Sequence, residues 1–435
     1  MSLLDGLLGD SDLARIMGDA AQIAAMLRVE AALARVEGRL GIIPPEAAKA
    51  IAGVAADLHP DAAALEPGTA RAGIPAQALV TALRSACGPH ADWVHFGATS
   101  QDIQDSALVL QLRTALEVMA ERLGALDAML AEKSAAFADQ PIPARTRFQI
   151  AAPTTLGAKI AVWRAPLGRH LQRLDELRPR LFNVSFHGAA GTGAALSPST
   201  DEVRRALADA LGLSAPEIPW HATRDAIAEL GGWLALVTGS LGKIGIDLIL
   251  LGQSEIAEVA AGTGGGSSTM PQKSNPVAAE ALVTLARLNA GDTGTLHQAM
   301  IHAQERDGAA LGLEWAVLPQ MVVRTGAALR IGLDLATTLV PRPERIAATF
   351  AADRGAMMAE AATFALSRQM PRAEAQRLVA EALRAVAETP DRTLAQALDA
   401  LAPGGDWTER LRPARQTGEA ARQADAGKPS REDKT

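Results

Sequence analysis

Tyrosine is absent from this 435-residue chain, and aromatic residues make up only 3% of it. No phenol is available as an acid, a base or an oxyanion donor. Those roles fall to serine, histidine, lysine, arginine or carboxylates. Cys87 is the only cysteine, which excludes an intrachain disulfide and argues against a thiolate metal site. The N-terminus lacks a basic n-region, and Asp5 and Asp10 interrupt its apolar run, so no signal peptide is expected. The net charge of −7 speaks against a nucleic-acid partner. The most apolar stretch, near Trp233 to Leu251, contains Lys243 and Asp247. It reads as a buried helix and not as a membrane span. A cytoplasmic protein without a membrane partner is expected.

Nearly half the residues are apolar, and alanine dominates where β-branched and aromatic residues are few. That balance favours close-packed helices over sheets, so the expected fold class is all-α. The length implies more than one domain. Proline breaks and helical periodicity divide the chain into an N-terminal helical domain at 1–92, a central long-helix bundle at 93–340 and a small C-terminal helical domain at 341–435 with a polar tail. An early helix is expected from about Asp19 to Gly38. Long helices are predicted near 102–136, 155–181, 224–260, 277–304 and 312–339.

Between the third and fourth of these lies G-T-G-G-G-S-S-T-M-P-Q-K-S-N-P, residues 262–276. Its glycines cannot hold a helix at low cost. The segment suggests a mobile loop that carries Ser267, Ser268, Lys273 and Asn275 onto a bound substrate. Asn275 is expected to cap the following helix, with Pro276 in its first turn and Glu280 nearby. The loop fits neither a P-loop nor a Rossmann glycine pattern.

Three other polar clusters stand beside long helices. In W-V-H-F-G-A-T-S-Q-D, residues 93–102, Thr99 or Ser100 suits a helix cap, or a carboxylate site at a helix N-terminus. In A-R-T-R-F-Q, residues 144–149, Arg145 and Arg147 adjoin apolar sequence and need anionic partners, either protein carboxylates or a substrate. In Q-E-R-D, residues 304–307, a charge run is expected at the end of a helix. His302 and Glu305 are read as a surface contact and not as a metal site. Together the clusters suit a small polyanionic substrate and proton transfer next to a carboxylate.

G-S-S-T-M-P-Q-K-S-N-P, residues 266–276, closely resembles the signature G-S-S-x-M-P-x-K-x-N-P of the fumarase/aspartase superfamily. H-F-G-A-T-S-Q-D at 95–102 is similar to its first conserved block, and R-T-R-F-Q at 145–149 to its second. The resemblance implies a three-domain helical subunit and a homotetramer with a twenty-helix core. It also implies active sites shared between subunits and no cofactor or metal. By position it implies catalytic roles for Ser267, Lys273, Glu280 and His95. It further implies substrate contacts at Thr99, Ser100, Gln101, Arg145, Arg147, Gln149, Ser268, Met270, Asn275 and Arg306. One departure narrows the reading: Arg147 stands where many members carry a histidine, and arginine cannot act as an acid or base at neutral pH. That loss, with G-A-T-S-Q-D and Ala303 to Trp315, resembles the cycloisomerase branch, although Leu311 and Gly312 depart from it. The resemblance therefore implies an intramolecular lyase that closes a lactone on a carboxylated muconate. The alternatives are another lyase, such as one acting on adenylosuccinate or argininosuccinate, or a non-catalytic helical scaffold.

Overall fold

The computed structural model describes residues 3–266 and 269–425. The fold is all-α. Its five long helices are α1 (Ser100–Ala136), α2 (Leu156–Leu181), α3 (Asp225–Leu251), α4 (Val277–Ala299) and α5 (Gly308–Thr338). Two compact units form, one from 1–123, 169–242 and 283–330 and the other from 124–168, 243–282 and 331–435. The boundaries between them fall inside the long helices.

In the first unit, helices Asp19–Arg39, Pro45–Asp57, Pro75–Ala86 and Thr200–Leu211 share one apolar core with Ile103, Ala107 and Leu110 from the start of α1. Met26, Ile51, Leu79, Leu83 and Leu207 are fully buried. Within each helix the buried apolar residues recur every three to four positions, as at Leu79 and Leu83 or at Val203, Leu207 and Leu211, which gives the stripe that this packing needs.

In the second unit, a separate core gathers Met358, Leu366, Val379, Leu398 and Trp407. Among the described residues only α3 is long and apolar enough to cross a membrane, and 56% of its most apolar window is buried. Asp247 is tolerated in this helix because Trp163 Nε1 donates to it at 2.7 Å and Lys243 Nζ at 2.6 Å.

Several predicted boundaries move. The third helix stops at Leu251, and the fourth at Ala299. The segment before α2 is not a plain helix approach. It forms an antiparallel hairpin of β1 (Pro141–Thr146) and β2 (Gln149–Thr155). Prolines at 141, 143 and 153 are compatible with a two-stranded edge structure and not with a helix interior.

Candidate active site

In the first unit the site is built around the N-terminus of α1. The cap is made by the Asp102 carboxylate, which accepts from Thr99 N at 3.1 Å, and not by the hydroxyl expected there. Asp102 also accepts from the His187 and Gly188 backbone N–H groups at 3.0 and 2.9 Å, from Ser185 Oγ at 3.1 Å and from His221 Nε2 at 2.8 Å. Burial pushes its carboxyl up, but His221 and the backbone donors outweigh burial and hold it below the ordinary carboxylate value. Thr99 and Ser100 are thereby fixed, half-buried, at a helix N-terminus.

Gln101 takes a different part from the substrate contact implied for it. It is fully buried, its Nε2 donates to Asp105 and to the His221 carbonyl, and its Oε1 accepts from Arg306 Nε at 2.8 Å. Its amide is used up within the protein, so it orients Arg306. The Arg306 guanidinium also donates to the Ala189 carbonyl, and the residue is exposed.

The Q-E-R-D run lies in the loop between α4 and α5, not at a helix end. Asp307 caps α5 through Ala309 N at 2.8 Å, and such backbone donors, Ala303 N first among them, lower its carboxyl. His302 is not a surface contact, because both of its ring nitrogens are buried.

Beneath these residues Arg224 grips two carboxylates at once. It donates to Asp105 at 2.9 and 3.1 Å and to Glu314 at 2.5 and 2.9 Å, and all three side chains are at most 1% exposed. Trp220 covers the guanidinium at 4.7 Å. Glu314 also lines a cavity of about 760 Å³ with Gln104 and Trp315.

His95 sits in the left-handed region at φ 62°, and its Nδ1 lies 2.6 Å from Glu30 Oε1. One turn-pair further along the same helix, burial and the Glu30 charge push the Glu37 carboxyl up to about 9.

In the second unit the β1–β2 turn holds Arg147 and Phe148 at φ 48° and 66°. Two consecutive left-handed residues match a type I′ turn, a geometry that costs arginine and phenylalanine more than glycine or asparagine. Such strain is a pointer to function. Arg147 and Gln149 are exposed, and Phe148 is 81% exposed. Arg145 takes the protein partner of the two open to it. Its guanidinium forms a bidentate pair with the fully buried Glu258 at 2.6 and 2.8 Å, so its substrate contact is not retained.

The glycine-rich loop has a built stem. Gly265 and Gly266 pair with Asn275 and Ser274 in a short antiparallel ladder. Gly264 has φ 70°, and a Cβ there would collide with Ser274, so glycine is required. Because Asn275 belongs to the ladder, α4 begins two residues later and Pro276 O accepts from Glu280 N. Asn275 therefore anchors the loop and does not cap the helix. Met270, Lys273 and Glu280 are exposed around the loop. Ser267 and Ser268 lie outside the described residues.

Sequence reasoning missed Asp102, Asp105, His187, His221, Arg224, Glu314 and Glu258. Only P-W-H-A-T-R-D, residues 219–225, carried a signal, as an arginine set between apolar stretches. Among the described residues no group of three or more His, Cys, Asp or Glu side chains is arranged to hold a metal ion.

A lyase family model matches residues 9–289, and the chain belongs to that family, the fumarase/aspartase superfamily of enzymes. It is 42% identical over 394 residues to the 3-carboxy-cis,cis-muconate cycloisomerase of Pseudomonas aeruginosa, covering 89% of this chain and 86% of the relative. It superposes on the crystal structure of the 3-carboxy-cis,cis-muconate lactonizing enzyme from Pseudomonas putida with a TM-score of 0.92 and 38% identity, covering 97% of both chains. It is also 35% identical over 374 residues to the N-acetyl-S-(2-succino)cysteine lyase of Enterococcus italicus, covering 85% of this chain and 82% of that one.

Proposed function

We propose that this chain is a 3-carboxy-cis,cis-muconate cycloisomerase that converts its substrate to 4-carboxymuconolactone in protocatechuate catabolism. The observation that carries the reading is its likeness to lactonising enzymes over nearly the entire chain. Arg147 in the strained hairpin turn supports it, because a fixed cation suits a polycarboxylate and cannot serve a histidine relay.

One substrate carboxylate oxygen attacks a conjugated double bond and forms the lactone C–O bond. The displaced π pair moves toward a second carboxylate, which becomes an aci-acid, and a proton is added to the carbon beside it. Lys273, Asn275 and loop N–H groups stabilise the developing charge. Arg147 and Arg306 hold the remaining carboxylates, with Gln149, Thr99, Ser100, Ser268 and Met270 completing the pocket. Loop closure excludes water and sets Ser267 at the carbon acid. Glu280 and His95 have positioning roles. The working form is a cytoplasmic homotetramer with shared active sites, and its subunits divide at 1–92, 93–340 and 341–435. The separate core around Trp407 supports the last boundary.

A second reading, elimination from an S-succinylated cysteine, is favoured by the likeness to the Enterococcus italicus lyase. Ultraviolet assays with carboxymuconate, N-acetyl-S-(2-succino)cysteine, adenylosuccinate and argininosuccinate separate these activities. Turnover of carboxymuconate above the other three is expected.

A further inference from the structure

Arg147 leaves the second conserved block without a titrating group. Serine does not titrate near neutral pH, so a proton that ends on carbon must come from elsewhere. Lactonisation consumes one proton per turnover, because a carboxylate becomes an ester and a C–H bond forms. Histidine is the side chain whose ordinary value suits that exchange.

Four histidines lie in the first unit near the start of α1. His95 has its Nδ1 on Glu30 and His221 has its Nε2 on Asp102. His187 is 3% exposed and stands edge-on to His221 with ring centroids 6.2 Å apart. The His187 ring nitrogens, like those of His302, have no hydrogen-bond partner among the described residues. But His187 is almost wholly buried and is not on the Arg306 loop, and His302 differs from it in both respects. His302 is half-buried and on the same loop as Arg306. A buried imidazole without a partner costs stability unless something else uses it.

We propose that His302 is the proton-supplying residue of this enzyme, taking the place of the histidine missing from the second block. The inference rests on the cycloisomerase reading above. Arg306, four residues on, is held to Gln101 and so to the first conserved block, which sets this loop beside the proposed substrate carboxylates. The imidazolium gives up its N–H proton, which ends on the carbon next to the aci-carboxylate. The resulting neutral ring takes a proton from solvent before the next turnover. No other reactant is needed.

The charges facing His302 suit a group that must hold both states. Burial and Arg224 lower its titration, whereas Glu314, Asp307 and Asp105 raise it. The net direction is below the ordinary histidine value. Forward lactonisation by the wild type is therefore expected to fall as pH rises through this depressed value. Ring opening, which needs the neutral ring, is expected to rise over the same range.

The test is the pH profile of kcat in both directions for the wild type and for His302→Gln, with KM and thermal melting measured alongside. The expected result is a loss of kcat of about 10²-fold or more, a KM changed by less than the loss in kcat, and disappearance of both opposing limbs. A His302→Gln enzyme with wild-type kcat and unchanged limbs overturns the assignment. If the variant does not fold, the wild-type profiles decide: opposing limbs support the inference, and flat profiles between about pH 5 and 8 overturn it. A wild type that turns over no carboxymuconate overturns the activity reading itself, an outcome distinct from an active enzyme indifferent to His302.

Discussion

Asp102 and His221, 119 residues apart in sequence, meet through a 2.8 Å hydrogen bond in the interior of the first unit. The carboxylate is fully buried and also gathers the backbone donors of Thr99, His187 and Gly188. One side chain thus ties the first conserved block to two distant segments. Asp102→Asn keeps the shape but removes the charge and turns an N–H₂ toward N–H donors. A loss of about 3–5 kcal/mol in unfolding free energy is expected, as for other broken buried pairs, measurable by urea titration. The folded carboxyl lies below its ordinary value. Its contribution is therefore present above the unfolded value of about 3.9 and is lost as pH falls through the folded value. The variant's stability should vary less with pH in that acid window than that of the wild type.

Arg224 serves two buried carboxylates, Asp105 and Glu314. Arg224→Met fills similar volume but strands both anions. A stability loss of at least about 3–5 kcal/mol is expected. The triple change Arg224→Met, Asp105→Leu, Glu314→Leu should recover much of it. Comparing the denaturation midpoints of the two variants checks this.

Glu37 behaves oppositely to Asp102. Its folded carboxyl is raised from 4.5 to about 9 by burial and the Glu30 charge. The folded state keeps the proton that the unfolded chain releases. Stability is therefore fully present below the unfolded value and is lost as pH rises toward the folded one. Glu37→Gln should be close to neutral in acid and stabilising by a few kcal/mol, to order of magnitude, in mild alkali. Thermal melting across that range checks the crossover.

The long helices were legible because their apolar spacing persists over many turns and glycine and proline collect between them. The loop at 262–276 was legible from its motif. The hairpin at Arg147 was not, because its turn uses arginine and phenylalanine where asparagine and glycine are usual. The ladder at Asn275 escaped notice because a two-residue strand has no periodicity. The Asp102–His221 and Arg224–Asp105–Glu314 contacts join segments roughly a hundred residues apart. Sequence spacing carries no record of such pairings. The same reason hid Glu258, which turned Arg145 from a substrate contact into a structural one.

Ser267 is placed at the carbon acid only by the proposed reaction, and it lies outside the described residues. Ser267→Ala should lower turnover by several orders of magnitude while melting temperature and oligomeric state stay as in the wild type. Steady-state kinetics with size-exclusion chromatography test this. Near-normal turnover by the variant removes Ser267 from the proposed site.

Lactone closure destroys the conjugated diene of 3-carboxy-cis,cis-muconate, so its ultraviolet absorbance reports the central reaction without coupling enzymes. Purified wild-type protein added to this compound should abolish the diene absorbance and yield 4-carboxymuconolactone, identified by NMR. An unchanged diene spectrum from well-folded protein, with turnover of one of the succinylated compounds instead, contradicts the proposed function.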